Sequence, residues 1–227
     1  MSSLRFHAKR LFDGYSFLDD QVLTITDGMI SAIDENINEV DVAVSGLVVP
    51  GYIDLQINGG GGVLFNDEPS VANLNTIISA HAQFGTTAIM PTLITDKITV
   101  MKQAADAVAE AIAKKTPGIL GIHFEGPHLS LAKKGTHCGE LIRPISDDEW
   151  QVLSRKDLGL IMVTLAPETV SAQDVEFKEG NFKDEKEGLK KAKEAIENFK
   201  TLLKSSENLG QAYPATTLMI TEKDDQL

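Results

Sequence analysis

The alternation of apolar and polar residues changes character near residue 48. Over residues 1–49 the apolar runs are short, with Val22–Ile25 and Met29–Ile33 on either side of an Asp27–Gly28 turn signal. Phe17–Asp20 also has the composition of a turn. This pattern predicts a small β-sheet layer, and it contains no candidate chemistry.

From about residue 48 apolar strands alternate with stretches of helical spacing, which predicts parallel pairing through right-handed crossovers. Nearly continuous apolar runs such as GILGIHF fit a sheet that is buried on both faces. Two architectures remain open on this pattern, a (β/α)8 barrel and an open doubly wound sheet. No GxGxxG or P-loop sequence follows a strand, which disfavours a nucleotide-binding fold. The predicted strands are Val48–Ile57, Thr86–Ile94, Gly118–Phe124 and Leu158–Leu165, and the helices 71–84 and 99–114.

The alternation stops near residue 173. Beyond it, Phe182, Leu189, Ile196 and Leu203 recur at every seventh position of a Lys- and Glu-rich stretch. That spacing predicts an amphipathic helix over about 183–204. The pattern therefore divides the chain into an N-terminal β part (1–49), an αβ part (50–172) and a tail (173–227).

Composition and charge narrow the function classes. The chain has 21 Lys+Arg against 33 Asp+Glu, a net charge of -12 that disfavours a nucleic-acid partner. A single cysteine, Cys138, excludes an internal disulfide framework and a Cys-rich zinc site. No run approaches the roughly 18 apolar residues of a membrane span, and the N-terminus lacks the apolar stretch of a signal peptide. We therefore expect a cytoplasmic protein with neither a membrane nor a nucleic-acid partner.

Polar residues collect after three of the predicted strands. Ligands bind at the carboxyl ends of parallel strands, so these residues are the candidates for chemistry. They are Asp54, Gln56 and Asn58 after the first strand, Thr92, Thr95 and Asp96 after the second, and His123, Glu125 and His128 after the third.

Glu125 ends a buried apolar strand, where a carboxylate is costly unless it is paired, protonated or bound to a metal. His123 shares its face of the strand, and is either a ligand or a satisfied core histidine. Gln56 and Asn58 also share a face. Their neutral amides suit water or substrate better than direct binding of a transition metal.

A cationic loop, Lys133-Lys134-Gly135-Thr136-His137, follows Glu125. Two lysines and a histidine form a candidate site for an anion such as a phosphate or a carboxylate. A solvated loop without a ligand is the alternative interpretation.

Four runs then occur in order, PGYIDLQINGGGGVLFND, FGTTAIMPTLITD, GIHFEGPHLSLAKKGTHCGELIRP and VTLAPE. Together they resemble the N-acetylglucosamine-6-phosphate deacetylase family of the amidohydrolase superfamily, over about residues 1–172. The resemblance implies an α/β fold of the (β/α)8 TIM-barrel type with a small β-sandwich domain, of which this chain carries the first half of the barrel. It also implies a dimer that hydrolyses N-acetylglucosamine 6-phosphate to glucosamine 6-phosphate and acetate in amino-sugar catabolism.

The resemblance further implies roles for individual residues. Glu125 corresponds to the family's metal-binding glutamate, with zinc as the expected divalent metal. Thr136 and His137 correspond to a substrate-contacting pair. Gln56 and Asn58 stand where many amidohydrolases carry His-x-His, as in the branch that uses one metal, and are candidates for holding water or supporting the site. His123 is not a ligand in the family pattern.

The chain also departs from that pattern. Two further histidine ligands and the acid/base aspartate lie downstream of VTLAPE in the family and have no counterpart here, so no catalytic residue is identified and an incomplete metal site is expected. Residues 173–227 do not resemble the family. Two functions remain open: a metal-dependent deacetylase, or a truncated, catalytically inactive fragment that acts at most as a binding or interaction module.

Overall fold

The computed structural model describes residues 3–166 and the strand Thr216–Ile220. The predicted helix 183–204 lies outside the described residues. The chain divides into two compact units, Met1–Tyr52 and Ile53–Leu227.

The first unit is a four-stranded sheet in the order β3-β2-β1-β4, which confirms the predicted β layer. Strand β4 runs parallel to β1, and the other pairs are antiparallel. Asp27 and Gly28 join β2 to β3 with positive φ angles of 51° and 84°, as a two-residue hairpin turn requires. The strands are β1 (Ser3–Phe12), β2 (Phe17–Thr26), β3 (Met29–Asp34) and β4 (Val42–Val48).

The turn predicted at Phe17–Asp20 is wrong, since these residues belong to β2. Phe17 pairs with Phe12 at the end of β1, and the two ring centroids lie 4.9 Å apart. The Arg10 guanidinium lies 4.8 Å above the Phe17 ring. These contacts across the sheet outweigh the local preference of the two aspartates for a turn.

The second unit contains a five-stranded sheet in the order β11-β10-β9-β8-β5. The pairs β8–β9 and β9–β10 are parallel, with helices between successive strands. A doubly wound sheet reverses its strand order at a switch point, whereas β5, β8, β9 and β10 follow chain order as in a barrel. The barrel-type prediction is confirmed. The elements are β5 (Tyr52–Ile57), β6 (Gly59–Gly60), β7 (Val63–Leu64), α1 (Val71–Ala82), β8 (Thr86–Ile94), α2 (Ile98–Ala113), β9 (Gly121–Glu125), α3 (Asp147–Leu153), β10 (Leu160–Leu165) and β11 (Thr216–Ile220).

Three of the four predicted strands begin later than predicted, the fourth at Leu160 rather than Leu158. The first strand begins at Tyr52 rather than Val48, after the Pro50–Gly51 break in the pairing. The third begins at Gly121, because Gly118 adopts a φ of 82° that a strand residue cannot adopt. That strand includes Glu125, so its carboxylate stands at the last position of the strand.

The helices cover the sheet with their apolar faces. Ser70 begins α1 by accepting a hydrogen bond from the Asn73 amide, and Ser146 begins α3 in a capping box with Glu149. One continuous core results, to which the helices contribute Leu74, Ile77, Met101, Ala104 and Val108, and the strands Ile89, Ile122, Phe124 and Val163.

The tail supplies an unpredicted strand. Strand β11 pairs antiparallel with β10, with Ile220 opposite Ile161 and Thr216 opposite Leu165. An antiparallel strand at the edge of a parallel sheet is a common arrangement. Among the described residues, no helix is both long enough and apolar enough to cross a membrane.

Candidate functional site

Glu125 lies at the carboxyl end of β9, level with Ile94 of β8 and Thr164 of β10. Its Oε2 accepts a hydrogen bond of 2.9 Å from the Gln56 Nε2 at the end of β5. Strand β8 lies between β5 and β9, so the two side chains meet across an intervening strand. Neighbouring strands are about 4.8 Å apart. The contact therefore requires both side chains to project from the same, concave face of the sheet.

His137 is the second neighbour of Glu125. Its Nε2 lies 3.8 Å from the Glu125 Oε1, and the residue is buried. On the opposite side of the ring, the Nδ1 lies 2.8 Å from the Thr95 Oγ1 and 3.4 Å from the Thr95 backbone nitrogen. Thr95, in the loop after β8, thereby holds His137, in the loop after β9, against the Glu125 carboxylate.

The remaining residues of the cationic loop do not reach Glu125. Thr136 is exposed, although the resemblance pairs it with His137. The Lys134 ammonium donates to the His137 carbonyl oxygen at 3.0 Å, which stabilises the loop itself, and Lys133 is exposed. The structure thus brings only His137 of this segment to Glu125.

Gln56 and Asn58, the two amides predicted to share a face of the strand, make different contacts. Gln56 bonds Glu125, and the Gln56 backbone N–H donates to the Asp54 carboxylate at 3.0 Å. Asn58 lies beyond the end of β5, where strand alternation no longer applies, and its carbonyl accepts from the Phe65 amide. Its buried Nδ2 has no hydrogen-bond partner among the described residues.

His123 is a satisfied core histidine, which confirms one of its two interpretations. Its Nδ1 lies 3.2 Å from the Thr92 Oγ1, and its Nε2 lies 2.8 Å from the Thr164 Oγ1. The Thr92 Oγ1 also accepts from the Ile57 amide, so polar contacts link four adjacent strands beneath Glu125. Burial lowers the pKa of His123 to about 4, and the ring is neutral near pH 7.

Asn66 is a supporting residue that the sequence analysis missed. Its Nδ2 donates to the Ile94 carbonyl at 3.1 Å and to the Asp96 carboxylate at 2.9 Å, and its Oδ1 accepts from the Ile94 amide. It therefore joins the segment between β7 and α1 to the end of β8. The only sequence signal for it was its position within the first family-like run.

Arg143 holds the far end of the loop that carries His137. Its guanidinium bonds the fully buried Glu149 carboxylate at 2.8 Å, the Asp96 carbonyl at 2.9 Å and the Leu141 carbonyl at 2.7 Å. The His128 Nδ1 lies 2.9 Å from the Arg143 carbonyl oxygen. The predicted candidates Asp96 and His128 thus take part in the frame of the site.

The described residues do not make up a complete metal centre. Within residues 3–166, no three His, Cys, Asp or Glu side chains are grouped so that they could hold an ion. Glu125 supplies one carboxylate, and one of its oxygens is bonded to Gln56. A catalytic zinc site typically uses three protein ligands.

Comparison with known proteins places these features in one family. The sequence model of the amidohydrolase family matches residues 47–205, which extends past residue 172, where the resemblance read from the sequence ends. The chain is 48% identical over 160 residues to an N-acetylgalactosamine-6-phosphate deacetylase of Shewanella sp. (strain ANA-3), covering 67% of this chain and 41% of that protein. It is 34% identical over 164 residues to an N-acetylglucosamine-6-phosphate deacetylase of Haemophilus influenzae, covering 70% and 43%.

A solved structure of a deacetylase has a similar fold over the matched part. The N-acetylglucosamine-6-phosphate deacetylase from Pasteurella multocida superposes with a TM-score of 0.60 at 33% identity, over 67% of this chain and 42% of that one. The chain spans less than half the length of these relatives. The match of the family model over residues 47–205, together with these likenesses, shows that the chain belongs to the amidohydrolase family.

Proposed function

We propose that this chain contributes the Glu125 site to the hydrolytic deacetylation of an N-acetylhexosamine 6-phosphate. The observation that carries the proposal is the group formed by Glu125, Gln56 and His137 at the carboxyl ends of parallel strands. In the reaction, water adds its oxygen to the acetamide carbonyl carbon and the C–N bond breaks. Acetate and the free amino sugar phosphate are released.

The substrate follows from the relatives. The sequence runs favour N-acetylglucosamine 6-phosphate, and the Haemophilus protein is named for that substrate. The Shewanella protein, which has higher identity, is named for the galactosamine compound. We therefore propose the N-acetylhexosamine 6-phosphates as the substrate class. Both the glucosamine and the galactosamine epimer should be assayed. A cytoplasmic location and a dimer are part of the same proposal.

The family implies a divalent metal, and we propose zinc, with Glu125 as a ligand. When bound, such a metal lowers the pKa of water and supplies hydroxide near neutral pH. Gln56 would orient the Glu125 carboxylate, and the His137 ring would offer a hydrogen bond to the substrate beside it. The described residues do not complete the metal site, so we assign no catalytic step through the ion.

That incompleteness supports a second candidate function, an inactive chain that binds the sugar phosphate or a partner. We expect the purified chain alone to show no deacetylation of either epimer with added Zn²⁺. The measurement is the release of free amine. Metal-dependent turnover that is lost in Glu125→Gln would instead favour the first function for the chain by itself.

A hybrid enzyme tests the contribution of the segment directly. Residues 3–166 replace the corresponding segment of the Shewanella deacetylase, which supplies the rest of the protein. We expect the hybrid to deacetylate at least one epimer, and Glu125→Gln to abolish turnover. Asp157→Asn, an exposed carboxylate outside the site, is the matched control. A folded but inactive hybrid would contradict the proposal.

A further inference from the structure

We propose that Thr95 is a positioning residue that fixes the tautomer of His137, so that the His137 Nε2 carries the proton and faces Glu125. His137 would then offer one fixed N–H donor to an oxygen atom of a ligand at this site. The identity of that ligand, an N-acetylhexosamine 6-phosphate, rests on the proposed function. The tautomer itself does not depend on it.

The contacts of Nδ1 determine the tautomer. The Thr95 backbone N–H can only donate, and it points at the His137 Nδ1 from 3.4 Å. An acceptor nitrogen carries no proton, so the neutral ring must be protonated on Nε2.

The Thr95 hydroxyl is consistent with the same tautomer. Its Oγ1 lies 2.8 Å from the His137 Nδ1 and 3.5 Å from the Glu125 carbonyl oxygen. The second distance exceeds the usual range of about 2.5–3.0 Å for an O–H···O bond. With Nδ1 accepting from the Thr95 backbone N–H, the hydroxyl can donate to the same nitrogen, so that both Thr95 donors face Nδ1.

The packing leaves room for the hydroxyl at this position. Thr95 is buried, and a Cβ added to Gly126 would come within 2.2 Å of its Oγ1. Gly126, at a φ of 87°, therefore leaves the space that the hydroxyl occupies. The Lys134 ammonium secures the His137 backbone on the other side.

The Nε2 proton remains available. The distance of 3.8 Å to the Glu125 Oε1 is too long for a hydrogen bond, and Nε2 has no hydrogen-bond partner within residues 3–166. A ligand oxygen could accept this N–H beside the carboxylate. If the His137 ring could exchange tautomers, its Nε2 would be an unprotonated acceptor for part of the time, and it could not then donate to the ligand.

Nitrogen-15 NMR of the full chain tests the proposal without any need for turnover. The chain has five histidines, so His137→Gln assigns the His137 ring signals in a long-range proton–nitrogen spectrum. The spectrum is recorded at about pH 8. We expect His137 to show a protonated Nε2 and an unprotonated Nδ1. A protonated Nδ1 in the wild-type chain would overturn the proposal.

Variants separate this role from simple packing. Thr95→Val keeps the side-chain shape but removes the hydroxyl, and we expect the His137 nitrogen shifts to move towards a mixture of tautomers. Thr95→Ser should restore them. Thr92→Val is the matched control, since Thr92 contacts His123 and should alter only that ring. Unchanged His137 shifts in Thr95→Val would contradict the proposal, and the wild-type spectrum decides the matter if that variant does not fold.

The hybrid enzyme then distinguishes the two proposals. An inactive hybrid whose His137 shows the expected tautomer would contradict the proposed function alone. An active hybrid with the opposite tautomer would contradict the role of Thr95 alone. If both hold, Thr95→Val should lower kcat/KM severalfold and Thr95→Ser should recover most of the loss.

Discussion

A carboxylate at the end of an apolar strand needs a partner, and at Glu125 the partner is an amide rather than a cation. The Gln56 side chain donates to one oxygen, and the other oxygen faces the His137 ring at 3.8 Å. An amide satisfies the carboxylate without neutralising its charge. The contact with Gln56 therefore places no positive charge beside Glu125.

Within the loop Lys133–His137, His137 is the residue whose removal should most lower turnover of the substrate. In the hybrid enzyme, His137→Ala removes the ring beside Glu125, and loss of one such hydrogen bond should lower kcat/KM roughly 10-fold. Steady-state kinetics with both epimers is the measurement. Thr136→Ala is the comparison, because Thr136 is exposed and we expect a smaller effect. Equal kinetics for His137→Ala and the parent would contradict the assignment of His137.

His123 predicts a dependence of stability on pH. Burial lowers its folded pKa to about 4, against an ordinary value of 6.5. Between these values the unfolded chain binds a proton that the folded chain does not, so stability falls as the pH drops from 6.5 to about 4. The loss is up to about 3 kcal/mol.

Denaturant unfolding with a chelator present measures this contribution. We expect His123→Gln to flatten the curve of unfolding free energy between pH 6.5 and 4. His7→Gln, at a partly exposed histidine paired with Asp20, is the control and should leave the slope in place. A slope that persists unchanged in His123→Gln would show that other groups produce it.

At the scale of the elements, the loop between β9 and α3 is held at two points. In its middle His137 contacts Thr95, and near its end Arg143 bonds both the Asp96 carbonyl and Glu149 at the start of α3. The Glu149 carboxylate also accepts from the Ser146 backbone N–H and hydroxyl. The loop that carries His137 is therefore positioned by its neighbours as well as by its own sequence.

Glu149→Ala should destabilise the protein by about 3 kcal/mol, because it leaves the Arg143 guanidinium without its buried partner. Asp148→Ala is the matched control, since Asp148 forms an exposed pair with Lys102 that should contribute less than about 1 kcal/mol. Denaturant unfolding compares the two variants. Similar losses in both would contradict the structural role of the buried pair.

At the scale of the molecule, the parallel sheet of the second unit has its outer strand covered by the tail. Strand β11 pairs with β10 along its length, from Ile161 to Leu165. An uncovered edge strand presents unpaired N–H and C=O groups that invite pairing with another chain. The tail strand therefore occupies the edge of β10, and β11 becomes the outer strand of the sheet.

Deleting residues 216–227 should increase self-association, because it uncovers the edge of β10. Light scattering at several protein concentrations measures the change, and deletion of residues 221–227 alone is the control that retains β11. The amphipathic stretch at 183–204 remains in both deletions. If both scatter like the full chain, β11 does not protect this edge.

The sequence by itself determined the α/β class, the order of the four parallel-type strands and the first two helices, and the family-like runs that contain Glu125 and His137. Those features depend on local periodicity and on residue identities, which the linear order preserves. The apolar pattern alone left a barrel and a doubly wound sheet open. Within the sequence, only the resemblance to the deacetylase family favoured the barrel. The strand order then confirmed it.

Only the tertiary structure decided which polar groups meet. Gln56 reaches Glu125 because the sheet curls across β8, whereas Asn58, two residues later, lies past the strand end. The contact between Thr95 and His137 depends on where two loops return above the sheet. Strand alternation predicts which face a side chain takes within a strand, but partners far apart in sequence are chosen by sheet curvature and loop packing.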